Sequence, residues 1–141
     1  MSMQTQLLQT PTPNANLGAH DRDRVVSVAA RAYARIAAAW KLPNPAAAAL
    51  IGVSERTWAR MKTEQWNGSL DQDQLMRVSA VTGLYKALHL YFSDKIADRW
   101  VRLPNTGPSF AGHKPIDVML RGGLPAIMDT RDYVDALRGG V

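Results

Sequence analysis

The sequence contains no cysteine, and this absence excludes several kinds of chemistry. Without thiols the chain has no disulfide bond, no cysteine nucleophile and no thiolate ligand for a metal. It also lacks any apolar run of about 18 residues, so no segment is expected to span a membrane. The first residues have neither the basic start nor the apolar core of a secretory signal peptide. We therefore expect a cytoplasmic protein.

Strand-forming patterns are missing as well. No segment of useful length alternates apolar and polar residues, no internal repeat is visible, and no glycine-rich phosphate loop follows a strand. With 141 residues, 46% of them hydrophobic, the chain is long enough for one or two small globular domains. These observations predict an all-α fold.

Histidines that could form a catalytic or metal-binding cluster are scarce. His20, His89 and His113 are far apart in the sequence. His113 lies four residues before Asp117, but this pair has no nucleophile and no third ligand beside it. A hydrogen bond that fixes a loop is the favoured interpretation, with catalysis as the alternative. We expect no enzymatic activity, no metal and no cofactor.

Positive charge is present in excess and is unevenly distributed. The net charge is +5, and residues 1–70 carry eight Lys/Arg against four Asp/Glu, whereas residues 71–141 carry nine against eight. The basic excess in the first half favours an acidic partner such as nucleic acid. The alternative is a mildly basic small protein whose charge serves no partner.

The N-terminal part begins with a polar segment and continues as a long helix. Residues 1–19 contain two prolines and show no periodicity, so a disordered tail is expected. Apolar residues then recur at steps of three and four, which predicts an amphipathic helix from Asp21 until before Pro43. Its apolar positions are Val25, Val28, Ala29, Ala32, Tyr33, Ile36 and Trp40.

A helix, a glycine turn and a second helix follow. Asn44 is predicted to cap a short helix, Gly52 ends that helix, and Ser54 caps the next one. Residues 20–68 are therefore predicted to form a helix-turn-helix DNA-binding region. The apolar residues of the buried seam between its two helices are Ala47, Ile51, Val53, Trp58 and Met61.

The second helix of such a motif places its N-terminal part in the DNA major groove. Arg56, Thr57 and Arg60 are then nearest to base edges, and Lys62 is placed to meet phosphate. These cations also suit a merely solvated helix face, and Glu55 weakens the positive potential. The predicted DNA-contacting residues are Ser54, Arg56, Thr57, Arg60 and Lys62.

Residues 69–141 are predicted to form a second helical region. Ser69 is expected to cap a helix that continues to about Phe92, and further helices are expected over residues 94–103 and 130–137. In the helix over 94–103, the residues expected to point inward are Ile96, Trp100 and Leu103.

The segment from residue 100 to residue 124 is rich in proline and glycine. These helix breakers alternate with large apolar residues, which a flexible linker would not contain. The segment is therefore predicted to be an ordered loop that contains a short helix over 116–120, with Asp117 at its start. The breakers are Pro104, Gly107, Pro108, Gly112, Pro115, Gly122 and Gly123.

The order of short motifs in the second half resembles the toxin-binding domain of the Xre/MbcA/ParS family of type II antitoxins. The helix-turn-helix fits the N-terminal half of the same family, so the resemblance spans most of residues 21–141. The motifs are DRW at 98–100, PN at 104–105, F-x-G at 110–112, PIDVML at 115–120, Gly122-Gly123 and YVDALRGG at 133–140.

This resemblance implies a partner and a role. The partner would be a RES-domain toxin that consumes NAD, and the antitoxin would cover its active site, form a homodimer and repress its own operon at operator DNA. The alternative for the C-terminal tail is a frayed end without a partner. The residues that the resemblance places toward the toxin are Arg121, Gly122, Gly123, Tyr133, Arg138, Gly139, Gly140 and Val141.

Two other functions agree with the same residues. One is a stand-alone helix-turn-helix regulator whose second half only dimerises or senses a ligand. The other is an interaction protein whose helix-turn-helix no longer binds DNA.

Overall fold

The computed structural model describes residues 18–63 and 65–139, with the backbone only for Ala19 and His20, and its described part is all-α without a strand. This confirms the predicted fold class. Most of the predicted disordered tail, together with Gly140 and Val141, lies outside the described residues. The helices are α1 (Ala19–Ala39), α2 (Asn44–Leu50), α3 (Glu55–Met61), α4 (Gln72–Tyr91), α5 (Asp94–Ala97), a 3-10 helix (Trp100–Arg102) and α6 (Pro115–Arg138).

The first three helices pack around buried aromatic side chains. The Tyr33 hydroxyl of α1 donates a 2.6 Å hydrogen bond to the Ala47 carbonyl of α2, and its ring meets Trp58 of α3 edge-to-face at 5.4 Å. Burial raises the pKa of Tyr33, so the hydroxyl remains a neutral donor. One tyrosine therefore joins all three helices.

The buried side of α1 differs from the prediction at two positions. Val25 and Val28 are exposed, whereas Val26 and Ala30 are buried. The buried residues of this helix follow steps of three and four from Val26 to Trp40. At about 100° of rotation per residue, Val25 lies to the side of this stripe and Val28 lies opposite to it.

Helix α4 is the central helix and packs against both α1 and α6. Its buried stripe consists of Val78, Val81, Leu84 and Leu88. The predicted cap at Ser69 is wrong, because the helix begins after Asp71 with a capping box. The Asp71 carboxylate accepts from the Gln74 backbone N–H at 2.8 Å, and the Gln74 side chain accepts from the Asp71 N–H at 2.9 Å. Two backbone donors are satisfied in this way.

The predicted ordered loop is confirmed by its packing. Phe110 is buried, and its ring meets Trp100 at 5.8 Å and Tyr133 at 5.1 Å. The loop is closed by backbone hydrogen bonds from Asn105 to the His113 carbonyl and from Gly112 to the Asn105 carbonyl. A linker would have neither a buried aromatic residue nor a paired backbone.

The helix predicted over 94–103 is wrong in its length and in two of its inward residues. Helix α5 ends at Ala97, a 3-10 helix follows, and Ile96 and Leu103 are exposed. Leu103 precedes Pro104 and is extended, as the clash with a proline ring requires. Trp100 is buried as predicted, because the break after α5 turns it into the aromatic cluster.

The predicted hydrogen bond between His113 and Asp117 is absent from the described residues, and both side chains are exposed. The His113 backbone holds the loop instead, because its N–H donates to the Phe110 carbonyl. Asp117 lies in the first turn of α6, but its side chain forms no cap.

Helix α6 contains the two predicted C-terminal helices, joined at a kink. Gly123 has φ 67° and ψ −152°, a conformation that essentially only glycine adopts. The helix resumes directly after it, and Pro125 is tolerated because the N–H it lacks would be unpaired in a first turn. The predicted start at Thr130 is wrong, since its hydroxyl donates to the Ala126 carbonyl from within the helix.

Substituting Gly123 with alanine should destabilise the protein by about 1–3 kcal/mol, because alanine is strained in this conformation. The matched control is Gly139→Ala, since Gly139 has φ −73° and ψ −4°, which alanine adopts readily. Urea unfolding of both variants measures the difference. Equal stabilities for the two variants would show that the kink is not a fixed feature of the fold.

His89 connects α4 to the segment that follows it. Its Nδ1 lies 2.9 Å from an Asp94 carboxylate oxygen, and its Nε2 lies 2.8 Å from one of Asp98. Desolvation lowers the pKa of His89, but the hydrogen bonds to both carboxylates and their negative charges outweigh it, so the pKa is raised. The imidazolium form, which donates from both nitrogens, fits this position best.

The raised pKa of His89 makes its contribution to stability depend on pH. The contribution is fully present below the unfolded pKa of about 6.5 and is lost as the pH rises through the higher folded value. His89→Gln should therefore lose most stability relative to wild type in mild acid and less in alkaline solution. Chemical unfolding across this range measures it, with His113→Gln as control. A pH-independent deficit would contradict the assignment.

Candidate functional site

The turn between α2 and α3 has the geometry that the sequence predicted. Gly52 has φ 73°, and its N–H donates to the Ala49 carbonyl at 3.1 Å. The Val53 N–H donates to the Ala48 carbonyl at 3.0 Å. Ser54 then caps α3, because its hydroxyl oxygen accepts from the Thr57 N–H at 3.0 Å. The predicted turn glycine and N-cap are both confirmed.

Asn44 has a different role from the predicted one. It is the first residue of α2 and does not cap the helix, since the cap position is Pro43. Its side-chain oxygen instead accepts from the Trp58 indole at 3.0 Å and from the Lys62 ammonium at 2.9 Å. The Lys62 nitrogen also lies 5.8 Å from the Trp58 ring centre. Asn44 thus fixes the angle between α2 and the C-terminal end of α3.

The outward face of α3 presents two arginines. Arg56 and Arg60 are exposed, are four residues apart on one side of the helix, and form no ion pair within the described part of the chain. The Ser54 and Thr57 hydroxyl groups lie 3.0 Å apart and bond to each other. Ser54, Thr57 and Lys62 are engaged in hydrogen bonds within the motif, so only the two arginines are uncommitted in the described residues.

Arg77 of α4 connects this motif to the kink of α6. Its Nε donates to Asp73 at 2.9 Å, and its guanidinium lies against both Gly52 and Gly123. A methyl group would lie 3.8 Å from the Arg77 side chain at Gly52 and 3.3 Å at Gly123. Sequence reasoning missed this residue, because an arginine four residues after Asp73 has the pattern of an ordinary surface ion pair.

Gln74 of α4 makes a second connection to the turn. Its side-chain amide donates to the Gly52 carbonyl at 2.9 Å, while its oxygen completes the capping box with Asp71. The turn is thus held by hydrogen bonds that come from a different part of the chain.

The predicted toxin-facing residues do not form one cluster. Arg121 and Gly122 are exposed beside the kink, and Arg138 and Gly139 are exposed at the far end of α6. The fifteen residues from the kink to Arg138 span about 22 Å of helix. Tyr133 lies between these ends, half-buried and stacked on Trp100 at 6.2 Å.

A groove of about 350 Å³ runs between α4 and α6. Two exposed methionines line it, Met76 of α4 (42% exposed) and Met128 of α6 (47% exposed), with Leu124 between them. Arg131 and Asp132 lie on its rim. The sequence analysis did not identify this groove, because it forms between two helices that are far apart in the chain.

Comparison with known proteins identifies both halves of the chain. Residues 21–82 match the antitoxin Xre-like helix-turn-helix domain, and residues 86–140 match the antitoxin Xre/MbcA/ParS C-terminal toxin-binding domain. The chain belongs to the Xre/MbcA/ParS antitoxin family. The uncharacterized protein y4oB of Sinorhizobium fredii (strain NBRC 101917 / NGR234) is 36% identical over 110 residues, which cover 77% of this antitoxin and 83% of y4oB.

The antitoxin therefore combines a helix-turn-helix with a toxin-binding domain, and both matched regions include part of α4. The first match ends at Thr82 and the second begins at Lys86, both within this helix. The helix-turn-helix and the toxin-binding domain consequently share a structural element.

Two further findings concern other kinds of site. Within residues 18–63 and 65–139, no group of three or more His, Asp or Glu side chains is arranged to hold a metal ion. Among the helices described, none is both long enough and apolar enough to cross a membrane.

Proposed function

We propose that this antitoxin neutralises a RES-domain toxin that degrades NAD, by covering its active site, and that it represses its own operon in the cytoplasm. The observation that carries the proposal is the arrangement of its two halves on α4. The exposed arginines of α3 lie in the matched helix-turn-helix, the kink of α6 lies in the matched toxin-binding domain, and α4 is shared by both.

Operator binding is assigned to α3. Arg56 lies in the first turn of α3 and Arg60 in its last turn, and the first turn is where a recognition helix meets base edges. Lys62 lies at the C-terminal end, where it contacts phosphate. A homodimer would place two such helices on the half-sites of a palindrome.

Toxin binding is assigned to α6 and its tail. Arg121 projects beside Gly122 and Gly123, where the absence of side chains lets a partner approach the backbone closely. Arg138 lies at the other end, next to Gly139, Gly140 and Val141. A guanidinium there suits acidic groups in a toxin cleft, because it binds a carboxylate through two hydrogen bonds. The groove with Met76 and Met128 adds an apolar surface between these ends.

The double variant Arg56→Ala/Arg60→Ala should bind a duplex from its own promoter at least tenfold more weakly, since each base contact contributes about 1–3 kcal/mol. Neutralisation of the co-expressed toxin should be unchanged. Fluorescence anisotropy and growth rescue measure the two effects, with the exposed pair Lys86→Ala/Lys95→Ala as control for charge. Parallel loss of both activities would contradict the division of labour between the two halves.

Deletion of residues 138–141 should impair neutralisation but leave promoter binding and the melting temperature close to those of the full chain. The removed residues follow the buried part of α6, so the core keeps its contacts. Arg138→Ala separates the contribution of the charge from that of the glycines. Full rescue of toxin-expressing cells by the truncated protein would refute the assignment of the tail.

A further inference from the structure

A second pocket, of about 320 Å³, lies where the helix-turn-helix meets the C-terminal half. The connection between α1 and α2 forms one wall, and the start of α6 forms the other. Three basic residues line it: Lys41 from the first wall, and Arg102 and Lys114 from the C-terminal half. Apolar residues complete the walls, among them Leu42 and Ile116.

The cations of this pocket have no anionic partner in the described part of the chain. None of the three forms an ion pair there. The Nε of Arg102 is buried and has no hydrogen-bond partner. A buried donor that is left unpaired destabilises the folded chain, and more so when it is charged. The Nε itself is closed to solvent, so an oxyanion in the pocket would meet the Arg102 guanidinium through its other nitrogens.

Lys41 occupies a backbone position that usually favours glycine. It has φ 54°, and it follows α1 at the position where helices usually end with glycine. The Lys41 N–H donates to the Ala38 carbonyl and the Leu42 N–H to the Ala37 carbonyl, which is the Schellman arrangement. Glycine would relieve the strain but would remove the charge.

One carboxylate, that of Asp117, also lines the pocket. It pairs with none of the three cations, so the formal charge of the lining remains positive. Three donors around one pocket suit an anion with several acceptor oxygens, and arginine and lysine are the usual ligands of phosphate.

The pocket is linked to the C-terminal end of α3 through α2. Pro43 lines it, and the next residue, Asn44, accepts the hydrogen bond from Lys62 of α3. A duplex that reaches Lys62 would therefore lie close in sequence and space to the pocket lining. We propose that Lys41, Arg102 and Lys114 bind a phosphate group of the DNA backbone, an inference that rests on the proposed DNA binding. Two of these residues belong to the toxin-binding half, so that half contributes directly to operator affinity.

The test compares Arg102→Gln/Lys114→Gln with the control Lys86→Gln/Lys95→Gln, which removes the same charge elsewhere. Anisotropy is measured with a promoter duplex and with a shuffled duplex over a range of salt concentrations. The pocket variant should weaken both duplexes by a similar factor of about ten and reduce the slope of log affinity against log salt by about one. The control should do neither.

A third variant, Lys41→Gly, distinguishes a loss of DNA binding from a loss of folding. This variant should melt at the same or a higher temperature, because glycine adopts the left-handed conformation without strain. It should nevertheless bind both duplexes more weakly. Suppose that wild type binds the promoter, that Lys41→Gly binds as tightly as wild type, and that the double variant binds as tightly as its control. The pocket proposal is then overturned, while the proposed DNA binding by α3 stands. A loss confined to the promoter duplex also overturns it, since a backbone contact does not discriminate sequences.

A further arm separates DNA from a free anion as the source of the phosphate. The Arg102 Nε–H resonance is followed by NMR while inorganic phosphate is titrated into the full-length protein. In one outcome wild type binds no DNA, but the resonance shifts with phosphate and the shift is lost in Lys114→Gln. DNA is then excluded as the source of the phosphate, operon repression is overturned with it, and the pocket remains a site for free phosphate. Absence of both DNA binding and a shift overturns the site itself.

Discussion

The packing of α4 against both α1 and α6 is the constraint on which the structure depends. Its stripe of Val78, Val81, Leu84 and Leu88 is buried over about three turns, so the helices on its two sides share one core. The helix-turn-helix and the toxin-binding domain are therefore not two independently packed units joined by a linker. A change in the orientation of α4 would reach both, because close-packed side chains transmit small displacements.

Arg77 illustrates how closely the two functional regions approach each other. Its guanidinium lies against Gly52, in the turn that positions the recognition helix, and against Gly123, in the kink beside the proposed toxin contacts. Both glycines have positive φ, so neither position accommodates another residue without strain. The turn and the kink thus meet on the same arginine, although 70 residues separate them in the sequence.

Short-range sequence patterns predicted where most helices lie, but they predicted less well where a helix is interrupted or continues. The 3.6-residue periodicity identified α1 and α4, and Gly52 with Ser54 identified the turn, since these features depend on neighbours within one helical turn. The kinked α6 was predicted as two helices, because Gly122 and Gly123 were interpreted as a turn that ends a helix, whereas the helix resumes directly after Gly123. The contacts of Asn44 and Arg77, and the groove between α4 and α6, are tertiary and leave no periodic trace in the sequence.

Several polar side chains of α3 and its ends are already hydrogen-bonded within the protein, which limits the contacts that they can make in the proposed complex with DNA. Ser54 and Thr57 bond to each other, and Lys62 is held by Asn44, which leaves two arginines without a partner in the described residues. Backbone phosphates supply much of the affinity of DNA-binding proteins, while base contacts supply specificity. A recognition helix with few free cations would therefore depend on phosphate contacts from outside the motif. The phosphate site proposed beside α2 and at the start of α6 would supply such a contact.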